Sequence, residues 1–168
     1  MSALGIDIGG VIVVRVNDGS ELSFFGDRYL ENPPISGAFE GIRELGQERF
    51  GENVHLVSRC REETRRRTLA WFDHHGFWEA TGLTRDRVHF CDERREKELV
   101  CARVGIDHFI DDHMDVLRQL PSVPNRFLFR PEQQDLVEFA SLLDTVTIAQ
   151  DWPSLVEAIL RLGPVATG

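Results

Sequence analysis

Leu4-Gly5-Ile6-Asp7-Ile8-Gly9-Gly10-Val11 is the stretch on which the reading of this chain turns. Leu4 to Ile6 is short and apolar and runs into an acid, with two glycines close behind. That pattern reads as a buried strand leading into a tight turn. Asp7 then stands at the carboxyl end of a strand, and Gly10 lets the backbone turn closely enough for amide groups to face an anion. An acid after a strand is common and often only caps a turn. Its meaning depends on what the rest of the chain brings beside it.

Working outward, apolar runs alternate with helical patterns. Val54 to Ser58, Val88 to Cys91, His108 to Ile110, Arg126 to Phe129 and Val146 to Ala149 read as strands. Between them lie a helix from Ser36, as its cap, to about Phe50, closed by Gly51, and a long helix from about Glu62 to His75. Asp92 is placed to cap a helix carrying Lys97, Leu99, Val100 and Val104, Met114 to Leu120 forms a short helix, and Trp152 to Leu162 the last one. Strand and helix in alternation mean a three-layer α/β domain with a central parallel sheet. Residues 11–33 break the pattern. Val11-Ile12-Val13-Val14 and Leu22-Ser23-Phe24-Phe25 are strand-like about the turn signal Asn17-Asp18-Gly19, so a β-hairpin flap is expected there, ended by Pro33-Pro34. The 168 residues suit one domain, without room for a large cap. Parallel sheets bind ligands at the carboxyl ends of their strands, where Asp7, Ser58 and Asp111-Asp112 stand.

These positions resemble, in order, the four motifs of the haloacid dehalogenase-like (HAD) superfamily. Asp7-Ile8-Gly9-Gly10-Val11 is similar to its motif I, D-x-D-G-[TV]; Ser58 to motif II; Lys97 to motif III; and Ile110-Asp111-Asp112 to the acidic motif IV. The tail Ala149 to Leu155 is similar to the last strand and helix of phosphatase-like members. The resemblance implies a Rossmann-like, HAD-like fold of minimal-cap type and a phosphatase acting through an aspartyl-phosphate on Asp7. It implies a Mg²⁺ ion held by Asp7, the Gly9 carbonyl, Asp111 and Asp112. It also implies a phosphate bound by Gly9, Gly10, Ser58, Arg59 and Lys97, with Ser58 and Lys97 stabilising charge on the transferring group.

The departure is Gly9, where phosphatases of this superfamily keep the aspartate that protonates the leaving group. General acid–base catalysis contributes roughly 10²–10⁴-fold, so turnover of poor leaving groups should be slow. Asp18, Asp27, Glu31, His74 or His75 could supply the acid from elsewhere. Dehalogenase-type and phosphonate-cleaving chemistries manage without it, but they rely on a sizeable cap. The remaining alternative is a catalytically degenerate protein that binds a phosphorylated ligand or a protein partner. A dinucleotide-binding turn is a weaker reading, because only Gly9-Gly10 of G-x-G-x-x-G is present.

The substrate implied is a small phosphorylated molecule or a phosphorylated macromolecule. A formal charge of −9 opposes nonspecific binding to nucleic acid or anionic membrane. No apolar run approaches bilayer length, and no signal-peptide pattern opens the chain. The three cysteines, Cys60, Cys91 and Cys101, show no C-x-x-C spacing and suit a reducing, cytoplasmic setting. An open site without a cap also suggests a lid supplied by a second copy of the chain.

Other features read more plainly. The arginine run from Arg59 to Arg67 is expected to form a solvated helix face. Trp71, Phe72, Phe77 and Trp78 are expected to pack, and the histidine pairs lack the spacing of a helical zinc site. Arg95 is the competing candidate for the motif III cation.

Overall fold

The computed structural model describes residues 1–16, 19–24 and 26–163. Six strands form one all-parallel sheet: β1 (Leu4–Ile6), β2 (Val54–Arg59), β3 (Val88–Cys91), β4 (His108–Asp111), β5 (Asn125–Phe129) and β6 (Thr147–Ala149). Their order is β3-β2-β1-β4-β5-β6, so the chain works outward from β1 on one side and then returns to continue on the other. The order reverses between β1 and β4, which is where a parallel sheet opens a crevice at its carboxyl edge.

Alternate residues along each strand feed two cores, as the two-residue period of a strand requires. Ile110 and Phe127 face one layer with α1 (Ala38–Leu45), α2 (Glu62–His74), α3 (Phe77–Thr81) and α7 (Trp152–Arg161). Phe109 and Leu128 face the other, with α4 (Glu96–Val104) and α5 (Met114–Leu117). A short α6 (Gln133–Glu138) follows β5. The three-layer parallel architecture is as expected, and no large cap interrupts it. Trp71, Phe72 and Phe77 are buried in the first core, so the aromatic cluster is packing.

Several local expectations are corrected. The first helix starts after Gly37 (φ 81°) rather than at a Ser36 cap, and its last turn, Gly46–Phe50, is π-helical before Gly51 closes it. Asp92 does not cap α4. Its own amide, with that of Glu93, is bonded by the Glu96 carboxylate, while its side chain takes Arg65. α5 ends at Leu117.

The larger correction concerns residues 11–33. Among the described residues this segment contains no strand, only isolated bridges of Val13 to Gly9 and Pro34 and a 3-10 turn at Tyr29–Glu31. The expected hairpin tip, Asn17-Asp18, and Phe25 lie outside the described residues. The physical reason is where the backbone hydrogen bonds go. Asn32 Nδ2 donates to the Val14 carbonyl, and Trp71 Nε1 to that of Asn32. Arg67 Nη1 donates to the Phe24 and Gly26 carbonyls. Side chains from the core satisfy the segment, so it does not need a ladder. It is a turn-rich flap clamped from α2. Arg67 and Arg65 are therefore structural clamps, whereas Arg61 and Arg66 are exposed as the solvated-face reading expected.

Candidate active site

The turn after β1 positions the site. The Asp7 amide donates to the Ile110 carbonyl, registering Asp7 against the end of β4. Trp152 Nε1 at the start of α7 donates to the Val11 carbonyl and pins the far side of the turn. The α7 start is itself capped by Asp151, which accepts from the Ser154 amide. Gly10 has φ +80°, and a Cβ there would lie 2.1 Å from an Asp112 carboxylate oxygen. Only glycine allows β1's turn and Asp112 to approach this closely.

Three carboxylates converge. Asp7, Asp111 and Asp112 each bring an oxygen to within 4.8 Å of the others, the one such cluster among the described residues. Lys97 Nζ, on the first turn of α4, donates to Asp7 Oδ1 and to Asp111 Oδ2, both at 2.9 Å. The Lys97 side chain is 3% exposed, while Arg95 points outward and pairs with Glu93. Lys97, not Arg95, is the cation of the site. Asp111 Oδ1 also accepts from the His113 amide, and Asp135, rather than Asp111 or Asp112, takes the amide of Met114.

Electrostatics reflect this crowding. Burial pushes the Asp7 carboxyl up, opposed by Lys97 and reinforced by Asp111. Burial alone would lower Lys97, but Asp111 and Asp7 outweigh it and hold the ammonium charged. Asp112 is raised to about 8, first by burial and then by the charges of Asp7 and Asp111. The raised carboxyls of Asp7 and Asp112 show that the folded site disfavours its full set of negative charges, a cost that a divalent ion would relieve, and the donors are all oxygen. The set fits a hard cation such as Mg²⁺.

The second cation is Arg15, which motif reasoning did not single out. Its Nη2 donates to the Gly9 carbonyl at 3.0 Å and lies 3.3 and 3.4 Å from the two Asp112 oxygens. Its Nη1 is 2.8 Å from His113 Nε2. A guanidinium only donates, so that nitrogen of His113 accepts and Nδ1 carries the hydrogen, facing Asp135. His113 lines the same site.

A cavity of about 240 Å³ opens over Asp7. Its polar floor includes Gly9, Ser58, Lys97 and Asp111, with Arg59 and Arg94 also lining it; its apolar wall includes Val13, Val14, Val16 and Phe24 of the flap. Ser58 and Arg59 line the same cavity as Asp7. The substitute acids do not: neither Asp27, Glu31, His74 nor His75 lines this cavity, and Asp18 lies outside the described residues. Glu31 pairs with Arg28, and His75 Nε2 bonds the Leu30 carbonyl. Cys60 lines the cavity with its thiol pushed up by burial to about 11, which keeps it protonated and a poor nucleophile.

No family model matches the chain, and no curated protein matches it. A solved structure from Burkholderia xenovorans LB400, provisionally named a haloacid dehalogenase-like hydrolase, shares its fold. The TM-score is 0.61 and the identity 13%, over 96% of this chain and 98% of that one. The likeness extends over nearly the whole of both chains and is a likeness of fold. No helix among the described residues is long and apolar enough to cross a membrane.

Proposed function

We propose that the chain is a HAD-like hydrolase that cleaves a small phosphate ester with Asp7 as nucleophile and Mg²⁺ as cofactor. The observation that carries this reading is the Asp7–Lys97–Asp111 bridge at the sheet's switch point, with Asp112 alongside. The residues that would hold the ion are Asp7, Asp111, Asp112 and the Gly9 carbonyl. When bound, the ion supplies charge neutralisation between an anionic nucleophile and an anionic substrate.

The chain's own residues do the rest. Lys97 fixes Asp7 and opposes the burial that raises its carboxyl. An Asp7 oxygen bonds to phosphorus as the bond from phosphorus to the ester oxygen breaks, and the departing alkoxide takes its proton from solvent because position 9 offers none. Water then attacks phosphorus, the Asp7–phosphorus linkage breaks, and inorganic phosphate and the free carboxylate result. Ser58 and Arg59 orient the phosphoryl oxygens. The small cavity with its apolar flap wall favours a compact ester over a macromolecule, and Arg94 suits a second anionic group at the margin.

A second reading has its own observation. Gly9, with none of the described candidate acids in the cavity, also suits a protein that binds phosphate esters without turning them over. Phosphate release from a panel of phosphomonoesters, with and without Mg²⁺, separates the two. Metal-dependent turnover abolished in Asp7→Asn supports the hydrolase. Saturable binding of inorganic phosphate without turnover of any ester supports the binder and overturns the hydrolase.

A further inference from the structure

Arg15 holds the corner that the proposed cation would need. Its Nη2 bonds the Gly9 carbonyl and lies beside both Asp112 oxygens, and these are two of the four groups proposed to hold Mg²⁺. A guanidinium and a divalent ion on the same two groups would repel each other across a largely buried site, where screening is weak. The absent side chain at position 9 is what makes room. Among the described residues, a Cβ built on Gly9 meets only Arg15 Nη2, at 3.6 Å, and Gly9 is not among the glycines with positive φ, so another residue could occupy that position. An aspartate there would aim its carboxylate at the guanidinium. Gly9 and Arg15 thus form one local arrangement, in which a guanidinium stands against two of the groups proposed to hold the ion.

Resting on the Mg²⁺ reading above, we propose that Arg15 is an intrinsic competitor for the divalent-cation position, so that Arg15 and the ion occupy the Gly9–Asp112 corner alternately. The geometry suits exchange. The Arg15 side chain is 34% exposed and its contacts to Asp112 are long, whereas Lys97 is 3% exposed and makes two bonds of 2.9 Å. Lys97 stays in both states. Arg15 leaves when the ion binds, swinging out with its flap residue and giving up His113 as well. Cation affinity in this protein is set by the ion's advantage over an arginine already in place.

Calorimetric titration with MgCl₂, repeated with Mn²⁺ followed by electron paramagnetic resonance, tests this on the wild type, Arg15→Gln and Arg15→Lys. The expected result is tighter binding by roughly tenfold or more in Arg15→Gln, the scale of losing charge-assisted competition. Arg15→Lys, which keeps the charge without the forked donor, should fall between. Near-UV circular dichroism of each variant checks the fold, and addition of Mg²⁺ should move the Arg15 side-chain Nε–H resonance of the ¹⁵N-labelled wild type. Equal or weaker binding in folded Arg15→Gln, with the wild type binding normally, overturns this inference and leaves the metal reading intact. Failure of all three folded proteins to bind either ion removes the metal reading, and the inference with it.

Discussion

The two halves of the site are built differently. Asp7, Lys97 and Asp111 form a buried bridge between the ends of adjacent strands and the first turn of α4, with two bonds of 2.9 Å and almost no exposure at Lys97. Gly9, Arg15, Asp112 and His113 form a looser corner beneath the flap, with Arg15 one-third exposed. Removing one partner of a buried ion pair strands an uncompensated charge, whereas a side chain one-third exposed, as Arg15 is, keeps access to water when it leaves its partners. The difference assigns rigidity to the nucleophile half and exchange to the flap half.

The largest expected effect comes from breaking the rigid half. Lys97→Met should lose about 3–5 kcal/mol of unfolding free energy in urea denaturation, with Mg²⁺ recovering part of it. A loss under about 1 kcal/mol, the range of exposed pairs, would mean that the bridge is no more fixed than the flap corner.

Next in size is the pH dependence of the metal-free protein. Asp112 is raised in the folded state to about 8 from an ordinary 3.8, so the folded form holds the extra proton between those values. Its contribution is fully present below about 4 and is lost as pH rises towards about 8. Thermal unfolding of the wild type should show this decline and Asp112→Asn should show a smaller one, since Asp7 is raised as well. Parallel profiles would place the crowding elsewhere.

Gly10→Ala should then cost about 1–3 kcal/mol, the scale of a strained backbone position, because the new Cβ meets both a positive φ and the Asp112 carboxylate. Denaturant midpoints measure it, and an unchanged midpoint would show that the turn and Asp112 can separate freely. The smallest stability effect belongs to Arg15→Gln, under about 1 kcal/mol without metal. A larger loss would mean that the flap corner is structural. For activity, Gly9→Asp alone should gain less than Gly9→Asp combined with Arg15→Gln, since Arg15 neutralises the new acid. Initial rates of phosphate release compare them, and equal gains would separate Gly9 from Arg15.

Much of this was legible along the chain because it depends on local pattern. Short apolar runs placed all six strands, three of which run into an acid, and Lys97 was marked by its resemblance to the third motif. Its burial among Arg94, Arg95, Glu96 and Glu98 was not legible, since charge at that density ordinarily means a solvated face. α3 and α6 were missed because such short helices carry little periodicity. The hairpin expected over 11–33 failed for a different reason. Val11 to Val14 and Phe24 are apolar as expected, but they face the core and the cavity while Asn32, Trp71 and Arg67 take the backbone groups.

Hydrophobic period and the order of Asp7, Ser58, Lys97 and Asp111-Asp112 were enough to specify a parallel α/β sheet with a carboxylate site at its carboxyl edge, because burial of strands and helices follows from neighbours a few residues apart. The occupant of the position opposite Gly9 could be decided only by folding. Arg15 meets Asp112 and His113 across 97 and 98 residues of chain, and no local rule relates residues at that separation. The sheet brings them together by setting β1 beside β4, and the missing side chain at Gly9 leaves the space that Arg15 fills.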